Sequence, residues 1–154
     1  MRGKIFLMSP EHPLTIDLVI PVFNEAGVVE QTYANICKVL DPLPYKFTIY
    51  YVDDGSQDNT VGCLATLAAT DKRIIVLELA RNFGQQAALT AGLDASSGDF
   101  VISMDADGQH PPEMISQMIE LFKQGYDIIQ TQRIEAGQGS SFKQVTSSGF
   151  YALI

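Results

Sequence analysis

The stretch Phe100-Val-Ile-Ser-Met-Asp105-Ala-Asp107-Gly-Gln109 carries an apolar run that ends abruptly in two carboxylates spaced i, i+2. In an extended segment alternate side chains share a face, so Asp105 and Asp107 point the same way if the extension persists. A short buried strand that delivers paired carboxylates to its end suggests a site for a hard divalent cation. Such a cation usually brings phosphate oxygens with it.

The same layout recurs four more times. The run Ile16–Val22 ends in Asn24-Glu25, and Phe47–Val52 ends in Asp53-Asp54-Gly55-Ser56. The run Ile74–Leu77 leads to Arg81-Asn-Phe-Gly84, and Tyr126–Thr131 ends near Arg133. Helical patterns lie between them. Val28, Val29, Ile36, Val39 and Leu40 fall on one side of a segment from about Ala26 to Leu40. Val61, Leu64, Leu67 and Ala68 do the same in the next, where Asp58 is the expected cap. Ala87 to Ala95 ends at Ser96-Ser97-Gly98. Met114 to Phe122 follows Pro111-Pro112 and stops at Gly125, the expected proline-first, glycine-last asymmetry. Strands alternating with single helices predict an α/β chain of βαβ units around a mostly parallel sheet. Ligands of such sheets bind outside the carboxyl ends of the strands, where every polar cluster here falls.

Composition narrows the function classes. The chain has 154 residues, of which 46% are hydrophobic and 18% charged, as for an ordinary globular domain. A net charge of -8 argues against a nucleic-acid partner, which wants Lys and Arg. It also means that an anionic ligand needs a metal or a few well-placed cations. Cys37 and Cys63 fall inside helical patterns with no zinc-type spacing, and read as buried thiols in a reducing compartment. No run approaches the ~20 apolar residues of a membrane span. Residues 1–13 read as a loose extension, because the apolar stretch Ile5–Met8 is shorter than the ~7 residues of a signal-peptide core. The Gly/Ser-rich segment after residue 134 reads as a mobile loop over the site. Phe150–Ile154 then looks like the start of a helix cut short.

Four segments appear in order at sensible spacing: Pro21-Val-Phe-Asn-Glu25, Val52-Asp-Asp-Gly-Ser-Gln-Asp58, Arg81-Asn-Phe-Gly-Gln-Gln-Ala-Ala88 and Met104-Asp-Ala-Asp-Gly-Gln-His-Pro-Pro-Glu113. Together they resemble the family 2 glycosyltransferases, and within them the dolichyl-phosphate mannose synthase and bactoprenol glucosyltransferase branch. The resemblance covers about residues 14–154. It implies a GT-A fold, a Rossmann-like three-layer αβα sandwich with a mostly parallel sheet. Residues 14–134 would form the nucleotide-sugar-binding domain, and 135–154 a loop and the start of an acceptor-side helix.

The resemblance also implies an inverting transfer from a nucleotide-diphosphate sugar, a UDP- or GDP-sugar, to a polyprenyl phosphate. The chain would be cytoplasmic, with its full-length form at the cytoplasmic face of a membrane. Asp107 maps onto the principal metal ligand, with Asp105 and Gln109 beside it. Oxygen-only ligation suits Mg²⁺ or Mn²⁺. Pro21, Phe23 and Glu25 map onto the wall of the base and ribose pocket, and Asp53 or Asp54 onto the acceptor for a base N–H. Arg81 and Arg133 are candidates for phosphate contacts, and Arg133 joins Asp105 and Asp107 as a catalytic candidate. His110 belongs to the last segment and can simply position Gln109. An acceptor that is already a phosphate brings its own anionic nucleophile, so no dedicated base is required.

Two features depart from the pattern. Gly108 stands where this branch usually has an apolar residue, and Lys143 is the only cation after Arg133. A second reading is a non-catalytic nucleotide-sugar-binding fragment that lacks its acceptor half. An exposed edge of a shortened sheet is compatible with a homodimer. Three other folds fit poorly. A haloacid dehalogenase-type phosphatase wants Thr or Val where Gln109 stands. A calcium EF-hand needs its glycine two positions later. A dinucleotide-binding fold needs Gly-x-Gly-x-x-Gly after the first strand.

Overall fold

A computed structural model describes residues 13–106 and 111–131. Its strands are β1 (Thr15–Val22), β2 (Lys46–Asp53), β3 (Ile74–Glu78) and β4 (Phe100–Ser103). They alternate with α1 (Val29–Leu40), α2 (Thr60–Thr70), α3 (Gln85–Ala95) and α4 (Met114–Lys123). All strand pairs are parallel, in the order β3-β2-β1-β4.

This order decides where a ligand can sit. The sheet grows outward from β1 through β2 to β3, then the chain returns past β1 to lay down β4. Growth reverses between β1 and β4, and in open parallel sheets the crevice at such a reversal is the binding position. The returning helix, α3, covers the opposite face from α1 and α2, which yields three layers. On one face Ile16, Leu18 and Ile20 of β1 and Ile49 and Tyr51 of β2 pack with Ile36, Leu64, Ile115 and Ile119 from α1, α2 and α4. On the other face Val19, Tyr50 and Val52 meet Ala88 of α3. Burying each large aliphatic side chain contributes about 1.5–3 kcal/mol, so the alternation along β1 and β2 fixes their register. Helix α3 lies close to the sheet because Gly92 has no side chain; a Cβ there would collide with Val19 Cγ1 and Val52 Cγ2.

Polar contacts tie down the amino edge of the sheet. Asp17 is 3% exposed, and its Oδ2 accepts from Ser97 N and Gly98 N, both at 2.7 Å. Arg73 ion-pairs with Asp71 and Asp41, both at 2.8 Å, which joins the end of α1 to the start of β3. The guanidinium holds the Asp71 carboxyl down to about 2.

Three expectations need correction. The run 126–131 is not a strand: Ile128 is 58% exposed, and no described strand pairs with this segment. An apolar run becomes a strand only where a neighbour completes its backbone ladder. Helix α1 begins at Val29, not Ala26, because the Glu25 carbonyl accepts from both Val28 N and Val29 N in a preceding turn. Asn59, not Asp58, is the N-cap of α2. The Asp58 carboxylate instead accepts from Thr60 N at 3.0 Å and from Ala26 N at 3.2 Å, so it bridges two loops.

Candidate functional site

The strand ends at the carboxyl edge converge on one cavity of about 290 Å³. Pro21, Val22, Phe23 and Glu25 line it after β1, Asp54 after β2, Gln85 at the start of α3, and Asp105 with Ala106 after β4. Three carboxylates and one amide therefore face an apolar wall.

Each loop is held by specific bonds. Asn24 adopts φ +55°, an orientation that Asn tolerates better than most residues. Its N–H donates to Ser56 Oγ at 2.8 Å and its Oδ1 accepts from Gln57 N at 2.8 Å, so the loops after β1 and β2 lock together. Glu25 N donates to Thr60 Oγ1 at 2.8 Å in the same latch. Gly55, at φ +71°, permits a third loop to approach: a Cβ there would lie 2.5 Å from the Arg81 carbonyl carbon. Thr32 of α1 donates through its hydroxyl to the Ala106 carbonyl at 2.8 Å and anchors the loop after β4.

The two adjacent aspartates have different surroundings. Asp54 is 3% exposed; its Oδ1 accepts from Phe83 N at 2.7 Å and its Oδ2 from Gly84 N at 2.9 Å. It thereby pins the amino terminus of α3, where a carboxylate is also favoured by the helix dipole. Asp53 is fully buried and does not line the cavity. Its Oδ2 accepts from Ser56 N at 2.9 Å, while its Oδ1 finds no partner.

Of the residues singled out from sequence, Pro21, Phe23, Glu25, Asp54 and Asp105 line this one cavity. Arg81 stays outside the cavity lining; its guanidinium sits over the Phe83 ring, 4.8 Å from the centroid. Asp107, Gln109 and Arg133 lie outside the described residues, as do both histidines and the loop after residue 134. The residue not singled out from sequence is Gln85. It sits inside the segment 81–88, and its place directly after Gly84, ahead of an Ala-rich helical pattern, was the available signal.

Electrostatics constrain the ligand. Carboxylates line the cavity and the chain carries a net charge of -8, so a bare diphosphate would be repelled. Among the described residues no three His, Cys, Asp or Glu side chains converge closely enough to hold an ion. Asp105 is the described member of the oxygen-only donor set expected from the sequence; the other two, Asp107 and Gln109, lie outside the described residues. Among the described residues no helix is long and apolar enough to cross a membrane.

Comparison with known proteins decides the family. The family described as Glycosyl transferase family 2 matches residues 17–152. The chain belongs to that family. The uncharacterized glycosyltransferase YkcC of Bacillus subtilis strain 168 is 36% identical over 137 residues, covering 89% of this chain and 42% of the relative. The bactoprenol glucosyl transferase of Shigella phage SfV is 37% identical over 140 residues, covering 91% and 46%. The chain thus spans less than half the length of these curated relatives. A mannosyltransferase of Pyrobaculum calidifontis, solved with GDP-Man and Mn²⁺, superposes with a TM-score of 0.57 at 26% identity, covering 68% of this chain and 30% of that one. The fold is that of the GT-A glycosyltransferases.

Proposed function

We propose that this chain is the donor-binding part of a metal-dependent, inverting glycosyltransferase that moves a sugar from a UDP- or GDP-sugar to a polyprenyl phosphate. The observation that carries the reading is the convergence of Glu25, Asp54 and Asp105, from three different strand ends, on one cavity at the sheet's reversal point. At about 290 Å³ the described part is near the lower bound of small-molecule sites, roughly 300 Å³.

The residues take distinct parts. Phe23, 40% exposed on the apolar wall, offers its ring to the base. Glu25 and Asp54 offer acceptor oxygens to base N–H and ribose hydroxyl groups. Asp105, Asp107 and Gln109 would hold Mg²⁺ or Mn²⁺, which when bound offsets the charge that grows on the leaving diphosphate. Arg81 and Arg133 are the cations proposed for phosphate oxygens. The acceptor phosphate attacks the anomeric carbon from the face opposite the leaving group, which inverts that centre. An anionic acceptor needs no proton removed, so no side chain is assigned as a base.

The likeness to the phage bactoprenol glucosyl transferase supports a lipid-phosphate acceptor and work at the cytoplasmic face of a membrane. The likeness to a mannosyltransferase holding GDP-Man and Mn²⁺ supports the donor class and the cation. The test is calorimetric titration of UDP, GDP and their sugars, with and without Mn²⁺, on wild type and Asp107→Ala. The reading expects Mn²⁺-dependent binding that Asp107→Ala abolishes. A folded wild type that binds none of these with Mn²⁺ present contradicts it.

A further inference from the structure

We propose that Gln85 is a positioning residue for the cation end of the donor site, and that Asp54 acts on Asp105 through it. The inference rests on the donor-site reading above and goes beyond it by linking the two carboxylate clusters. Gln85 Nε2 donates to Asp105 Oδ1 at 2.8 Å, across the crevice from the start of α3 to the end of β4. An amide donor to an ionised carboxylate makes a charge-assisted bond, about twice as strong as a neutral one. The bond fixes one oxygen of Asp105 and thereby the direction of the other. It leaves the carboxylate charge intact, which a Lys or Arg at position 85 would neutralise.

The donor is itself held in place. Gln85 is the first residue of α3, directly after Gly84 at φ +96°. The two N–H groups just before it, of Phe83 and Gly84, are those that Asp54 accepts. A continuous path therefore runs from the end of β2 through Asp54, the first turn of α3 and Gln85 to Asp105 in the loop after β4. Helix α3 cannot slide along this path, because Gly92 seats it directly against Val19 and Val52. The cluster after β2 and the cluster after β4 thus reach each other through a helix terminus.

The experiment uses Gln85→Met, which keeps the length of the side chain and removes the donor, beside Asp105→Ala. UDP and GDP are titrated calorimetrically with and without Mn²⁺, and Mn²⁺ occupancy is read by electron paramagnetic resonance. The proposal expects Gln85→Met to weaken Mn²⁺-dependent nucleotide binding about tenfold, at the low end for groups that orient metal ligands. Metal-free nucleotide affinity and the unfolding midpoint should not change. Wild-type behaviour of Gln85→Met, with Asp105→Ala clearly weakened, overturns the role of Gln85 and leaves the donor site standing. Equal weakening with and without Mn²⁺ also overturns it, because Gln85 would then touch the nucleotide itself. If Asp105→Ala binds like wild type, the donor-site reading fails and the proposal with it.

Discussion

Replacing Asp54 with Ala should unfold the start of α3 before it affects anything else. The carboxylate is 3% exposed and accepts two backbone N–H bonds, at 2.7 and 2.9 Å. Hydrogen bonds to a charged group contribute about 1.5–3 kcal/mol each, and a donor left without a partner adds its desolvation cost. Phe83 is 53% exposed, so water replaces part of what is lost and the low end of the range applies. The expected loss is about 3 kcal/mol for Asp54→Ala. Asp54→Asn retains one acceptor oxygen and should lose about half as much. At about 2–4 °C per kcal/mol for a domain of this size, the alanine variant should melt about 6–12 °C below wild type. Urea unfolding followed by circular dichroism gives the free energy directly. Hydrogen exchange should show faster exchange at residues 83–88 than at β1. A change in stability below 1 kcal/mol with unchanged exchange at those amides would refute the clamp, and Asp54 would be a ligand contact alone.

Gly92→Ala drives a methyl group into Val19 and Val52 and should cost about 1–3 kcal/mol in urea unfolding; a neutral result would mean that α3 sits farther from the sheet than described. Asp17→Ala frees the two N–H groups of Ser97 and Gly98 at the amino edge and should cost about 2–4 kcal/mol. Nucleotide affinity of its folded fraction should match wild type, and a weakened affinity would contradict a purely structural role. The Asp71–Arg73 pair predicts an acid limb in stability. The Arg73 guanidinium holds the Asp71 carboxyl down to about 2, below its ordinary 3.8, so its contribution is complete above about pH 4 and is lost as pH falls toward 2. With Arg73 about a third exposed, the contribution is about 1 kcal/mol after solvent screening. Unfolding of wild type and Asp71→Asn from pH 2 to 6 should converge at the acid end, and parallel curves would contradict the assignment.

The sequence made β1, β2 and β4 legible because their apolar runs are continuous and end in polar residues, as strands buried on both faces must. The same rule misread 126–131, since a run of Ile and Tyr does not say whether a partner strand stands beside it. The cavity-lining carboxylates Glu25, Asp54 and Asp105 were readable as candidates from their place after strands. Their partners were not. The bond from Gln85 to Asp105 spans 20 residues and depends on α3 crossing the far face of the sheet, which follows only from the strand order. Asp53 and Asp54 are indistinguishable in sequence. Alternation of side chains at the end of β2 turns one toward the α1–α2 layer and the other toward α3.

The most direct test of the central claim is amide chemical-shift mapping of the 154-residue chain with UDP and with GDP in the presence of Mg²⁺. The account predicts shifts centred on the carboxyl edge, at residues 22–25, 54–56, 83–85 and 104–109, with Asp17, Asp71 and Arg73 at the other edge unmoved. Shifts centred on the amino edge, or none at saturating nucleotide, would contradict it.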